Sequence, residues 1–209
     1  MGKPQPLAER IARRVRSSRE GSVFVTGSFL DLGTRAGVDQ ALARLARQGT
    51  IRRLARGIYD RPRTNARLGI ALAPAPDEVA RAIAGSEASR LQVAGAQAAN
   101  VLGLSTQIPA RIVYLTDATP RTIRIGEQAL VFRHASPRQM ATAGCVSGTV
   151  IQALRYIGKR NATEEVVERL RRTLSVRDKT ILMKDRLYAP GWIQPILERI
   201  AATSAETQP

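Results

Sequence analysis

Glutamine and arginine side chains recur on one side of a predicted helix in the amino-terminal third of the chain. In this segment Val38, Leu42 and Leu45 form an apolar face, with Ala41 and Ala46 beside it. The other side is small or polar and carries Thr34, Arg35, Ala36, Gln40, Ala43, Arg44 and Arg47. Gln and Arg pair bidentately with adenine and guanine edges, and small residues leave room for a helix in the major groove. The pattern predicts a helix that reads DNA bases.

A short basic hairpin is predicted directly after this helix. Gly49 is expected to end the helix, and residues 50–54 and 58–59 are expected to form two strands around Ala55-Arg56-Gly57. Gly57 supplies the positive φ that such a turn usually needs. Three arginines crowd these few residues, and charges this dense repel each other unless a polyanion lies opposite. The predicted DNA-binding set is therefore Thr34, Arg35, Gln40, Arg44, Arg47, Arg52, Arg53 and Arg56.

The predicted helices and hairpin around these residues follow a known arrangement. Residues 7–19 predict an amphipathic first helix, and Thr26 is suited to cap a second helix that follows residues 23–25. Thr34 is suited to cap the third helix, which is expected to begin near Arg35. Two helices joined by a tight turn, followed by a small hairpin, are typical of a winged helix-turn-helix. The alternative is a solvated basic face on a domain that never touches DNA.

The charge is concentrated in the same region. The chain of 209 residues has a formal net charge of +16, and residues 1–67 hold 15 basic and 5 acidic residues against 18 and 12 in residues 68–209. The single cysteine, Cys145, excludes an intramolecular disulfide, and no run of about 18 apolar residues or leader segment is present. We therefore expect a cytoplasmic protein whose partner is double-stranded DNA and not a membrane.

The remainder of the chain predicts a second domain of mixed α+β class. The segment 61–76 has the turn-forming and rigid residues of a connector, so the boundary is placed near residue 67. Strands are predicted at 90–93, 111–116, 121–125 and 129–134, the last two joined by a hairpin turn at 126–127. Helices capped at Ser147, Asn161 and Ser175 are predicted to follow. We expect residues 1–67 to bind DNA, and residues 68–209 to combine a small antiparallel sheet with a helical carboxy-terminal part.

Candidate catalytic residues are isolated in the sequence. His134 is the single histidine, and with Cys145 it does not form a set with metal-ligand spacing. Asp117 follows a predicted strand but lacks the Glu-x-Lys partner of a nuclease site. No phosphate-binding loop, nucleophile elbow or dinucleotide fingerprint is found. The sequence therefore favours a protein that is not an enzyme and that has no metal and no cofactor.

Five segments of the chain carry a family resemblance: FLDLGTRAGVDQALARLARQGTIRRLARGIYD at 29–60, LGLSTQIPARIVYLTD at 102–117, RTIRIG at 121–126, MATAG at 140–144 and YAPGWI at 188–193. Together they resemble the AbiEi-type antitoxins of type IV toxin-antitoxin systems. The resemblance implies a winged helix that represses its own operon at an operator expected to be an inverted repeat. It also implies a second domain that counters a nucleotidyltransferase-like toxin. The alternative is a stand-alone regulator whose second domain senses a ligand or forms an oligomer.

Overall fold

The computed structural model describes residues 5–202, which fold as a mixed α+β protein. The chain divides into two compact units. Within the described residues, the first unit contains residues 5–89 and 123–127, and the second contains residues 90–122 and 128–202. Each unit has its own buried apolar cluster.

The first unit begins with two helices and a small sheet. Its elements are α1 (Leu7–Ser17), β1 (Val23–Val25), a 3-10 turn (Thr26–Phe29), α2 (Arg35–Arg47), β2 (Arg52–Ala55) and β3 (Ile58–Asp60). The strands form an antiparallel sheet in the order β1-β3-β2, and a bulge interrupts the register between Arg53 and Ala55. The predicted second helix is therefore only a 3-10 turn, and Thr26 lies inside that turn instead of capping a helix.

The core of the first unit forms where the predicted apolar stripes meet. Ile11 and Val15 of α1 pack with Val38, Leu42 and Leu45 of α2, and Phe29 fills the centre of the cluster. Tyr59 of β3 joins the same cluster, whereas its neighbours along the strand point to the other face of the sheet. The core fixes which side of α2 remains outside.

The segment predicted as a connector is folded. Its hairpin comprises β4 (Arg63–Asn65) and β5 (Ile70–Leu72), and α3 (Pro76–Ser86) follows and packs against β1. Val79, Ala80 and Ile83 are buried on this helix. The division between the compact units falls after Ser89, whereas the sequence places the domain boundary near residue 67, which remains a prediction.

The second unit contains β6 (Leu91–Ala94), α4 (Gly95–Val101), β7 (Arg111–Thr116) and β9 (Gln128–His134), whereas β8 (Arg121–Ile125) begins in the second unit and ends in the residues grouped with the first. The sheet order is β6-β7-β9-β8, with β6 antiparallel and β9 parallel to β7. The prediction of an antiparallel sheet is therefore wrong for β7 and β9. β8 comes between β7 and β9 in the sequence but lies on the far side of β9 in the sheet. β9 is therefore the direct neighbour of β7, and the two strands run in the same direction.

Five helices complete the described part of the second unit: α5 (Pro137–Met140), α6 (Val146–Ile157), α7 (Glu164–Thr173), α8 (Val176–Asp185) and α9 (Gln194–Ala201). The predicted cap at Ser175 is confirmed, because its hydroxyl accepts from the Asp178 N–H. The other two predicted caps are wrong. Ser147 lies inside α6 and donates to Asp185, whereas Asn161 precedes α7 and donates from its amide to the Ile157 carbonyl.

Candidate nucleic-acid interface

Both ends of α2 are set by the residues that the sequence singles out. Thr34 is the residue before the first helical turn, and its hydroxyl accepts a hydrogen bond from the Gly37 N–H at 3.3 Å. At the other end Gly49 has φ +72°, and the N–H of Thr50 bonds back to the Leu45 carbonyl at 3.0 Å. The conformation of Gly49 and the hydrogen bond from Thr50 together close the end of the helix, so the Leu45 carbonyl has a partner. The predicted start and stop of the helix are confirmed.

The face of α2 opposite the core lies in solvent. Ala36, Gln40 and Ala43 are exposed, and so are Arg44 and Arg47. Because Val38, Leu42 and Leu45 are held in the core cluster, α2 cannot turn this face inward without losing its packing. The side chains suited to base edges are therefore presented outward from a fixed helix.

A groove of about 790 Å³ runs between this face of α2 and the β2–β3 hairpin. Gln40, Ala43 and Arg47 line its helix side, and Arg53 lines its hairpin side. The hairpin closes at Arg56-Gly57, where Gly57 has φ +72° as predicted. Helix and hairpin thus form the two walls of one concave basic surface.

Four of the predicted arginines have charges that no group in the described part of the chain neutralises. Arg44, Arg47, Arg53 and Arg56 are exposed, and none of them makes a hydrogen bond or ion pair with another residue in the range 5–202. Arg35 differs, because its Nε lies 3.2 Å from Asp39 Oδ2, one turn along the same helix. Asp39 also accepts from the Thr26 hydroxyl at 3.1 Å, so this carboxylate ties α2 to the 3-10 turn.

Arg52 has a structural partner inside the fold. Its Nε and Nη2 donate to the two carboxylate oxygens of Asp60 at 3.1 and 2.5 Å, and Nη2 also donates to the Leu72 carbonyl at 2.7 Å. Asp60 is 1% exposed, and this guanidinium offsets the cost of burying its carboxylate. The expectation that all three hairpin arginines need an external anion is thus wrong for Arg52, which joins β2, β3 and β5.

Several arginines of α1 and its surroundings are also structural. The Arg14 guanidinium binds both carboxylate oxygens of Asp31 at 2.8 and 2.6 Å and lies over the Phe29 ring. The hydrogen bond from Arg14 lowers the pKa of Asp31 below its usual value. Arg10 donates to the Leu32 carbonyl, and Arg61 donates to the carbonyls of Arg16 and Ser18. These long-range partners have no local sequence signal, so sequence patterns do not separate structural arginines from unpaired ones.

Of the residues considered for catalysis, Asp117 and His134 lie near each other, because Asp117 follows Thr116, the residue of β7 that pairs with His134 of β9. Asp117 accepts from the N–H and Nε of Arg90, both at 2.8 Å, and the side-chain hydrogen bond from Arg90 lowers the pKa of Asp117. His134 is exposed with Nδ1 3.4 Å from the Ala118 carbonyl, and Cys145 is exposed before α6. Within residues 5–202, no three His, Cys, Asp or Glu side chains cluster with the geometry of a metal site.

Comparison with known proteins identifies a family. No curated protein and no solved structure matches the chain. In the part of the chain that the structure describes, no helix has both the length and the apolar character needed to cross a membrane. Residues 10–182 match a family described as a family of unknown function, DUF6088, and this match spans both compact units and most of the chain. The chain therefore belongs to the DUF6088 family.

Proposed function

We propose that this protein is a winged helix-turn-helix DNA-binding protein that represses transcription of its own operon. The single observation that carries this proposal is the set of four arginines, Arg44, Arg47, Arg53 and Arg56, on the exposed face of α2 and the adjoining hairpin, which have no partner among residues 5–202. In this arrangement α2 acts as the recognition helix and the β2–β3 hairpin as the wing.

The electrostatics of this surface support a polyanionic partner. Four guanidinium groups without a carboxylate partner repel one another, and a phosphate backbone relieves that repulsion while releasing counterions. Arg53 and Arg56 on the hairpin suit phosphate contacts, which fix position without reading sequence. Gln40 and Arg47, which share the groove wall with the small Ala43, suit base edges.

The test is binding of the full-length protein to duplex DNA from its own promoter region, measured by fluorescence anisotropy at several salt concentrations. If the four arginines neutralise about four phosphates, the plot of log K against log salt should have a slope near −3.6. The double variant Arg53→Ala with Arg56→Ala should weaken binding to all sequences and flatten the slope by about 2. Arg177→Ala, which removes an exposed and unpaired charge from α8, is the matched control. An unchanged slope in the hairpin variant would remove the wing from the proposal.

We further propose that the protein acts as an antitoxin against a nucleotidyltransferase-like toxin, on the basis of the resemblance to AbiEi-type antitoxins. The test is growth of cells that express the neighbouring reading frame with and without the full-length chain, alongside a promoter reporter. Protection together with repression supports the antitoxin function. Repression without protection, or the absence of a nucleotidyltransferase-like neighbour, supports the stand-alone regulator instead.

A further inference from the structure

A second concave site, of about 300 Å³, lies within the second unit. It is built from α5, α6 and the turn that precedes α9. Two sequence segments with no assigned role meet there, because Thr142 comes from MATAG at 140–144 and Tyr188 comes from YAPGWI at 188–193. Two segments that are more than forty residues apart in the sequence thus line the same cavity.

The cavity wall is held in place by hydrogen bonds that are partly buried. Gln92, which is 2% exposed, accepts from the Gly144 N–H at 3.2 Å through its side-chain oxygen. Arg90 donates to the Met140 carbonyl at 3.1 Å, at the other end of the same segment. On the opposite side the Gln194 amide donates to the Ala189 carbonyl at 3.1 Å. Because these contacts organise both segments, the cavity is formed before any ligand arrives.

Gln152 is the residue that indicates a ligand. It lies in α6, is 8% exposed and lines the cavity, yet its amide makes no hydrogen bond within the described chain. Its amide atoms are not among the fully buried polar atoms that lack a partner in the described chain, so they reach the solvent of the cavity. An amide that offers both a donor and an acceptor to an open cavity therefore suits a ligand with a polar edge.

The charge of the site indicates an anionic ligand. Arg138 and Arg155 both line the cavity, and its described lining includes no acidic residue. Arg138 uses one guanidinium nitrogen to donate to the Leu187 carbonyl at 2.7 Å, whereas Arg155 makes no hydrogen bond or ion pair in residues 5–202. Two guanidinium groups without a carboxylate are suited to a phosphate. Tyr188, at 45% exposure, adds an aromatic ring at the same site.

We propose that this cavity binds a mononucleotide, with Arg138 and Arg155 on the phosphate, Gln152 on the polar edge of the base and Tyr188 against its face. A volume of about 300 Å³ is at the lower end of small-molecule sites, which fits one nucleotide and not a larger dinucleotide. This proposal rests on the second unit alone and does not depend on DNA binding by the first.

The experiment titrates the full-length protein with AMP, GMP, CMP, UMP and inorganic phosphate by isothermal calorimetry. Trp192, the single tryptophan, adjoins the cavity-lining Gly191, so its fluorescence gives an independent local signal. We expect saturable binding of at least one nucleotide, and weaker binding of phosphate. Arg155→Ala and Gln152→Leu should each weaken nucleotide binding at least tenfold. Leu is close to Gln in size, and thermal unfolding of each variant checks that the fold is kept.

Two matched controls locate the binding. Arg177→Ala removes an unpaired charge from the same unit outside the cavity, and Arg47→Ala removes one from the proposed DNA surface. Neither should change nucleotide affinity. Absence of saturable binding, equal affinity for phosphate and all nucleotides, or loss of binding in Arg47→Ala but not in Arg155→Ala would each overturn the proposal.

Discussion

Arg52 and Asp60 form a two-point ion pair across β2 and β3, with Nε–Oδ1 and Nη2–Oδ2 distances of 3.1 and 2.5 Å. Asp60 is buried, and the same guanidinium reaches the Leu72 carbonyl of β5. One arginine of a basic hairpin therefore stabilises the fold, while its neighbour Arg53 is exposed and unpaired within residues 5–202. Substitutions of these two arginines can therefore separate fold stability from the proposed DNA binding.

The first prediction concerns that pair. Arg52→Ala leaves the Asp60 carboxylate buried without its cation, so the free energy of unfolding should fall by about 3 kcal/mol. Adding Asp60→Asn removes the unpaired charge and should restore part of the loss. Arg53→Ala is the control and should change stability by less than about 0.5 kcal/mol. Urea denaturation of the four proteins gives these values, and equal stability of the two arginine variants would contradict the structural role of Arg52.

Gln40 provides a test of base reading. It is exposed on the groove side of α2, and loss of a bidentate contact with a base costs about 1 to 3 kcal/mol at one position. Gln40→Ala should therefore relax the preference at one base pair of each operator half-site, while affinity for random DNA stays nearly constant. Binding to a library of single-base operator variants measures this. The control is Gln48→Ala, an exposed glutamine at the end of the same helix that does not line the groove. An equal loss on operator and random DNA would contradict direct reading by Gln40.

Acid stability should depend on Asp117. The hydrogen bond from Arg90 lowers the pKa of Asp117 in the folded state. As the pH falls, the Asp117 carboxylate therefore becomes protonated at a higher pH in the unfolded chain than in the folded protein. The stabilising contribution is complete above the unfolded pKa of about 4 and is lost as pH falls through the lower folded pKa. The stability difference between the wild type and Asp117→Asn should thus shrink below about pH 4. Urea midpoints between pH 7 and 3 measure it, and a difference that stays constant would refute this account.

The fourth prediction concerns the extent of the first unit. A fragment of residues 1–89 keeps α3, whose Val79 and Ile83 are buried, whereas a fragment of residues 1–67 exposes the face of β1 that α3 covers. Burial of two such side chains contributes about 3 kcal/mol or more, so the shorter fragment should melt at least about 10 °C lower. Thermal unfolding followed by circular dichroism compares them. Equal melting temperatures would place the boundary near residue 67 after all.

Local signals in the sequence were sufficient for α2 and its hairpin. The apolar spacing of Val38, Leu42 and Leu45, the cap at Thr34 and the glycines at 49 and 57 each act over a few residues. Such signals depend only on helical periodicity and on backbone conformation, so they can be read without knowing what packs against them. The exposed face of α2 follows directly from the buried one.

Which charges are paired, and which distant segments meet, depends on the three-dimensional fold. Arg52 and Arg53 are adjacent in sequence, but only Arg52 lies where Asp60 and the Leu72 carbonyl converge. The parallel pairing of β7 with β9 and the cavity formed by Thr142 and Tyr188 likewise join residues far apart in the chain. Contacts of this kind depend on chain topology and on competition among many packing arrangements. Local residue patterns determine neither of these.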